Sequence, residues 1–217
     1  MSKAPKTETQ RPAPRLYLVT PEIEDAAAFA RTLSDVLGTA DVAAVLLRLK
    51  QADERTQINR IKTIAGVVQK TEVALVLDGL PELVARSGAD GAHLGDFESF
   101  TAAVGSLKPE RIAGCGGLDS RDDAMTAAEQ GADYVLFGEP DDKGDRPSLE
   151  AIVERVEWWA ELFQVPCVAF AASADEVGPL AAKGADFVAV HYIWDDPRGA
   201  KLALADANSK IAIEVVA

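Results

Sequence analysis

Three segments, SGADGAHLG at 87–95, QGADYVLFG at 130–138 and KGADFVAVH at 183–191, each set Gly-Ala-Asp between a stretch of helical periodicity and a short apolar run. A glycine at that place ends a helix by taking the left-handed conformation that a Cβ disfavours, and the chain then turns directly into a strand. Gly88, Gly131 and Gly184 are the predicted helix ends. A repeated helix-to-strand return is the local mark of successive β-α units in a parallel sheet.

Around this repeat, apolar runs at 16–20, 42–50, 73–78, 91–95, 111–116, 134–138, 166–171 and 187–193 alternate with longer stretches of helical period. Strands that are apolar throughout suit a sheet covered on both faces. Eight strand-helix units predict an α/β fold of one domain, a (β/α)8 TIM barrel. A doubly wound open sheet uses the same units, and the eighth unit argues for closure. The 217 residues suffice for one such domain. Residues 1–14 are polar and proline-containing, which predicts a disordered tail ahead of a barrel domain at 15–217.

A formal net charge of −13 opposes association with nucleic acid or an anionic membrane, so small molecules are the expected partners. No apolar run approaches the roughly 20 residues that a membrane-crossing helix needs. The amino-terminal stretch lacks the apolar core of a secretory signal, and a cytoplasmic protein is expected. Cys115 and Cys167 each lie inside an apolar run and read as buried thiols. Trp158 and Trp159 point about 100° apart on the sixth helix, so one faces the core and the other solvent or a second copy; a homo-oligomer is an open expectation.

Barrels of this kind carry their binding groups on the loops after the strands. At strand two, Arg48 and Lys50 alternate across one strand, so both point to one face, where they hold a phosphate or else are solvated surface charge. Asp78 ends strand three, and Asp96 and Glu98 follow strand four. Carboxylates on neighbouring loops suit Mg2+, which takes one or two of them plus waters and phosphate oxygens. His93 lies among apolar neighbours and reads as a hydrogen-bonded core histidine, whereas His191, near the end of strand eight, is left open.

The landmarks RLYLVT at 15–20, LRLK at 47–50, VLDG at 76–79, ADGAHLGDFE at 89–98, GADYVLFG at 131–138 and GADFVAV at 184–190 resemble, in order, those of the thiamine phosphate synthase and thiazole tautomerase superfamily. The resemblance implies Mg2+-dependent joining of hydroxymethylpyrimidine diphosphate to a thiazole phosphate, with release of pyrophosphate. It implies that Arg48 and Lys50 are the basic pair of strand two. Asp78 matches the first metal-ligand aspartate, and Glu98 stands where a second is expected.

Departures from the family pattern fall on the same loops. Leu77-Asp78-Gly79 replaces asparagine-aspartate-arginine, Asp96 replaces a glutamine, and Gly116 and Leu118 stand where a serine and a histidine are expected. The loop at 139–146 carries Glu139, Asp141, Asp142 and Asp145 in place of a threonine-rich turn, with Lys143 and Arg146 to offset them. Arg146 is the candidate substitute for the family's diphosphate-gripping lysine. Beyond strand seven, Ala172 and Ser173 replace a Gly-Gly pair whose amides hold a phosphate. Ser173 and Glu176 have the spacing of a capping box, which predicts that those amides are satisfied internally. His191-Tyr192-Ile193-Trp194 replaces small residues and is expected to fill space nearby. The substrate-binding set implied is therefore Gly116, Lys143, Ala172, Ser173 and His191, with Arg48, Lys50 and Arg146 catalytic. A working synthase, a non-catalytic barrel that binds a ligand or regulatory partner, and a barrel repurposed for another small substrate all remain open.

Overall fold

The computed structural model describes residues 12–141 and 143–216. Most of the predicted tail, residues 1–11, lies outside them, and 12–14 lead irregularly into the first strand. The elements alternate along the chain: β1 (Arg15–Ile23), α1 (Ala26–Leu37), β2 (Val42–Leu49), α2 (Glu54–Val68), β3 (Ala74–Asp78), α3 (Val84–Ser87), β4 (Gly91–Leu94), α4 (Phe97–Leu107), β5 (Ile112–Cys115), α5 (Arg121–Glu129), β6 (Tyr134–Phe137), α6 (Leu149–Leu162), β7 (Cys167–Ala171), α7 (Ala174–Ala182), β8 (Phe187–Val190) and α8 (Ala200–Val216). The strands pair in parallel in chain order, and β8 closes onto β1 through Leu16 opposite Val188 and Leu18 opposite Val190. The fold is the (β/α)8 barrel that the repeat implies.

Gly88, Gly131 and Gly184 all take positive φ, at 82°, 100° and 95°. The aspartate of each Gly-Ala-Asp then does a second job. Asp90 accepts the Leu75 N–H at 2.7 Å, Asp133 the Ala113 N–H at 2.8 Å, and Asp186 the Cys167 N–H at 2.8 Å. In each case the carboxylate clasps the amino end of the preceding strand while its own strand begins alongside. Three such clasps tie β3 to β4, β5 to β6 and β7 to β8 where the strands start. An unmatched buried amide costs about 1–3 kcal/mol, so the aspartates are structural.

Strand alternation separates two cores. Leu16, Leu18, Val45, Leu47, Leu75 and Leu77 point outward into the layer beneath the helices, with Leu33, Ile61, Ile64, Phe100 and Trp159. Tyr17, Val19, Leu46, Val76, Tyr134, Leu136 and Val168 fill the barrel interior. Tyr134 fits because β5 has Gly114 opposite it: a Cβ there would overlap the phenol ring. Tyr17 and Tyr134 meet edge to face at 5.6 Å, with hydroxyl oxygens 2.7 Å apart.

Two strand ends differ from the sequence reading in ways that bear on the site. β2 stops at Leu49, where β1, continued past a register shift to Ile23, still accepts the Lys50 N–H on Ile23 O at 3.1 Å. β8 stops at Val190 rather than 193. The chain there bends into a 3-10 turn, Tyr192–Asp195, in which Ile193 is fully buried and the Trp194 indole donates to Val19 O at 2.7 Å. Of the tryptophan pair, Trp159 is fully buried and Trp158 is half-buried, its ring covered by the Arg121 guanidinium at 4.6 Å from the centroid. Cys115 and Cys167 are both buried. No helix among the described residues is long and apolar enough to cross a membrane.

Candidate functional site

The carboxyl ends of the strands surround a cavity of about 900 Å³. Val19, Leu46, Leu136 and Phe170 give it an apolar floor. Its walls hold three guanidinium groups, Arg48, Arg146 and Arg155, and the carboxylates of Asp78, Asp96, Asp119, Glu139, Asp141 and Asp145. Acid outnumbers base, so a bare diphosphate meets a wall of its own sign unless the carboxylates are committed elsewhere or a cation accompanies it.

Most of them are committed. The Arg48 Nε donates to Asp78 Oδ2 at 3.1 Å, and both side chains remain partly open to solvent. Asp96 caps α4, accepting from the Ser99 amide at 2.7 Å and the Ser99 hydroxyl at 2.6 Å, which holds its carboxyl below the usual range. Asp141 folds the acidic loop onto itself by accepting the Lys143 N–H at 2.8 Å and the Asp145 N–H at 2.9 Å. Asp142 lies outside the described residues. Glu139 turns inward, its Oε1 accepting the Gly117 N–H at 2.7 Å and its Oε2 lying 3.2 Å from His93 Nε2.

His93 is thus a core histidine with a partner on each ring nitrogen, since Nδ1 lies 3.1 Å from the Tyr134 hydroxyl. Its ring stacks nearly flat on Tyr134, with centroids 5.7 Å apart. Burial works against a charge on His93, but the attraction and hydrogen bond of Glu139, with a smaller effect from Asp78, prevail and raise its pKa. A polar chain therefore runs from Tyr17 through Tyr134 and His93 to Glu139 at the cavity wall. Neither the glutamate's inward turn nor the tyrosine pair was foreseen from sequence; the Ser-to-Gly change at 116 was the available signal. Gly116 is buried, and a Cβ on it would overlap both Glu139 Oε1 and His93 Nε2.

Of the residues singled out in the sequence, Arg48, Asp78, Asp96, Arg146 and His191 line the cavity. His191 is half-buried, and burial followed by the nearby Arg48 charge lowers its pKa. Lys50, Glu98, Lys143, Gly116, Ala172 and Ser173 do not line it. Arg48 and Lys50, expected together, are separated in their surroundings: Arg48 lines the cavity, whereas Lys50 is exposed and its Nζ pairs with Glu24 at 2.7 Å. Lys143 is exposed on the loop, and Glu98 is exposed in the first turn of α4. Burial first, then the charges of Glu139, Asp96 and Asp123, push the Cys115 thiol up to about 12, which removes it as a nucleophile. Arg155, which the sequence did not single out, reaches the cavity from α6 and donates to Leu118 O at 2.5 Å and Asp119 O at 3.2 Å, fixing the loop after β5.

The predicted capping box at α7 is also corrected. Ser173 takes the N-cap position but makes no side-chain cap bond. Glu176 reaches past it instead. Its Oε2 accepts the Ala172 N–H at 2.8 Å, and both its oxygens accept from Arg146 Nη1 at 3.1 and 2.9 Å. Arg146 Nη2 donates to Phe170 O at 3.3 Å, and its buried Nε has no partner. The charge attraction across the β6 and β7 loops outcompetes the local serine cap. A carboxylate thus sits at the start of α7 with the cation that sequence reading gave to the substrate.

No group of three acidic, histidine or cysteine side chains among the described residues is gathered as a metal cage, so Asp78, Asp96 and Glu98 are not brought together as three ligands. Asp78 and Asp96 nonetheless line the same cavity, and carboxylates are the donors that Mg2+ takes beside water and phosphate oxygens, so the donor chemistry fits that ion.

A family model described as thiamine monophosphate synthase matches residues 16–192. Among curated proteins, a thiamine-phosphate synthase of Rhodospirillum centenum is 41% identical over 198 residues, covering 89% of this chain and 96% of the relative. A thiamine-phosphate synthase of Hyphomonas neptunium is 35% identical over 215 residues, covering 94% of this chain and 97% of that protein. Among solved structures, a thiamine phosphate pyrophosphorylase from Pyrococcus furiosus superposes with a TM-score of 0.75 at 20% identity, over 93% of this chain and 96% of that one. At that identity the likeness concerns the fold.

Proposed function

The chain belongs to the thiamine monophosphate synthase family, and from that premise we propose that it joins hydroxymethylpyrimidine diphosphate to a thiazole phosphate, forming thiamine phosphate and releasing pyrophosphate. The observation that carries the reading is the Arg48–Asp78 pair at the ends of adjacent strands, open to a cavity with an apolar floor. In this reaction the bond between the pyrimidine methylene and oxygen breaks, and its electron pair leaves with pyrophosphate. The thiazole ring nitrogen then supplies the pair for the new C–N bond, so no protein nucleophile takes part.

The task of the chain is electrostatic. Arg48 neutralises charge gathering on the departing pyrophosphate, and Arg146 assists once it parts from Glu176. Asp78 and Asp96 are the carboxylates that would hold Mg2+ in this cavity, with Glu98 outside it on α4, and the ion would supply Lewis-acid charge to the phosphate oxygens. The apolar floor takes the pyrimidine ring and excludes water from the cationic carbon. His191, whose pKa burial and then the Arg48 charge lower, offers a hydrogen-bonding ring at the cavity wall. Ala172, Ser173 and Lys143 lie on the loops that would meet the second phosphate, and Gly116 acts by leaving space. Lys50 acts at long range from the rim. The reaction is placed in the cytoplasm.

With both substrates and Mg2+ supplied, the purified protein should form thiamine phosphate, and Asp78→Ala should lower turnover roughly 100-fold or more. No product from the unaltered protein would sink the reading. It would favour instead a ligand-binding or regulatory barrel, for which the specific support is Glu176 held in place of an anion at α7.

A further inference from the structure

The carboxylate of Glu139 has no place in the electrostatic scheme above, and its surroundings are built around it. It stands directly after β6 in the cavity wall with its side chain 20% exposed. One oxygen is fixed by the Gly117 amide and the other by His93, which is 1% exposed and held from behind by Tyr134 and, through it, Tyr17. The loop after β5 is cut away to admit it, since any side chain at 116 would collide with the carboxylate and the imidazole. At Gly117 a Cβ would strike the Gly95 carbonyl, so that position too is restricted to glycine, with φ at 58°. Four elements thus converge to aim one glutamate.

A carboxylate oxygen has more than one acceptor position, and each oxygen of Glu139 uses one on the protein. What remains faces a cavity with Leu136 and Phe170 on its floor. The complementary ligand is a flat, largely apolar ring bearing an N–H donor at its edge, and a phosphate is the group such a position repels.

Building on the family reading, we propose that Glu139 is the substrate-selecting carboxylate of this cavity: it accepts a hydrogen bond from the ring amino group of the aminopyrimidine, and His93 is the positioning residue that holds it there. The contact also serves the chemistry. When the methylene–oxygen bond breaks and the electron pair leaves with pyrophosphate, the positive charge left on the methylene spreads through the ring to the amino nitrogen, whose N–H becomes a stronger donor. A fixed carboxylate on that N–H gains strength as the charge develops. No proton is transferred in this contact; the charge is discharged when the thiazole nitrogen forms the C–N bond.

The test uses ligands without a diphosphate, so it stands apart from turnover. Calorimetric titration of the full chain compares 4-amino-5-hydroxymethyl-2-methylpyrimidine with the same compound bearing hydrogen in place of the amino group, alongside magnesium pyrophosphate. The unaltered protein is expected to bind the amino compound about tenfold more tightly than its hydrogen analogue. Glu139→Gln should lose most of that preference while binding magnesium pyrophosphate as before or more tightly. His93→Gln should reduce the preference by a smaller factor, again with pyrophosphate unaffected, a result that general loosening of the barrel would not give. Thermal melts confirm that each variant is folded. Equal binding of the two pyrimidines by the unaltered protein, no binding of either, or a preference that survives Glu139→Gln would overturn the proposal. Absence of thiamine phosphate in the turnover assay, with the amino preference intact, would count against the reaction and leave Glu139 as a selector of aminated rings.

Discussion

The two ends of this barrel use the same side-chain chemistry for different purposes. At the amino ends of the strands, Asp90, Asp133 and Asp186 each accept the N–H of a neighbouring strand, the same bond made three times. At the carboxyl ends, Asp78, Asp96, Glu139 and Glu176 are in four different settings: an arginine pair, a helix cap, a histidine with a loop amide, and an arginine with a helix-start amide. A carboxylate whose partner is a strand amide is fixed by the backbone geometry that every β-α unit repeats. One whose partner is a side chain from a distant element depends on what that element happens to carry. The first kind is stability that recurs, and the second is a site.

That contrast can be attacked directly. The largest effect is expected from Asp133→Ala, which orphans the buried Ala113 amide and frees Lys108. It should cost about 2 kcal/mol of unfolding free energy, read as a lower urea midpoint, with ligand binding in the cavity unchanged. The same truncation at the partly exposed Asp78 should move unfolding free energy by less than about 1 kcal/mol while lowering turnover roughly 100-fold or more. Equal stability losses at the two positions would erase the distinction between the ends.

A smaller effect is expected at α7. Glu176→Gln keeps an acceptor for the Ala172 amide but removes the charge held against Arg146. Inorganic phosphate should then bind about fivefold more tightly by calorimetry, a gain of about 1 kcal/mol in the range of a charge-assisted pair. Unchanged phosphate affinity would mean that Glu176 only staples the loops together. The smallest effect belongs to Lys50→Ala. Its ammonium pairs with Glu24 among exposed residues, so turnover and pyrophosphate affinity should change less than about twofold. A tenfold loss would restore it to the site.

Much of the amino end was legible. The Gly-Ala-Asp repeat carries its own explanation, because helix end, turn and strand start are neighbours in sequence, and the glycines take the expected positive φ. The role of the aspartate was not read, since its partner amide lies 15 to 20 residues back. At the carboxyl end the landmark residues located Arg48, Asp78 and Asp96 on the cavity wall. The errors share a cause. Lys50 was placed in the site by strand alternation alone, and its ammonium is instead taken by Glu24; Ser173 and Glu176 were paired by helix spacing, which a guanidinium from the preceding loop overrides.

The order and period of the apolar runs determined that eight buried strands alternate with helices, and the repeat determined where helices end. These are consequences of interactions within a few residues of chain. Which carboxylates face the cavity, which cations are free to meet a phosphate, and that Glu139 is aimed by Gly116, Gly117 and His93 were decided only when closure brought the loops of β4, β5, β6 and β7 side by side. Charges and hydrogen bonds act through space, and the partners of a loop residue are set by the barrel's circumference rather than by its neighbours in sequence.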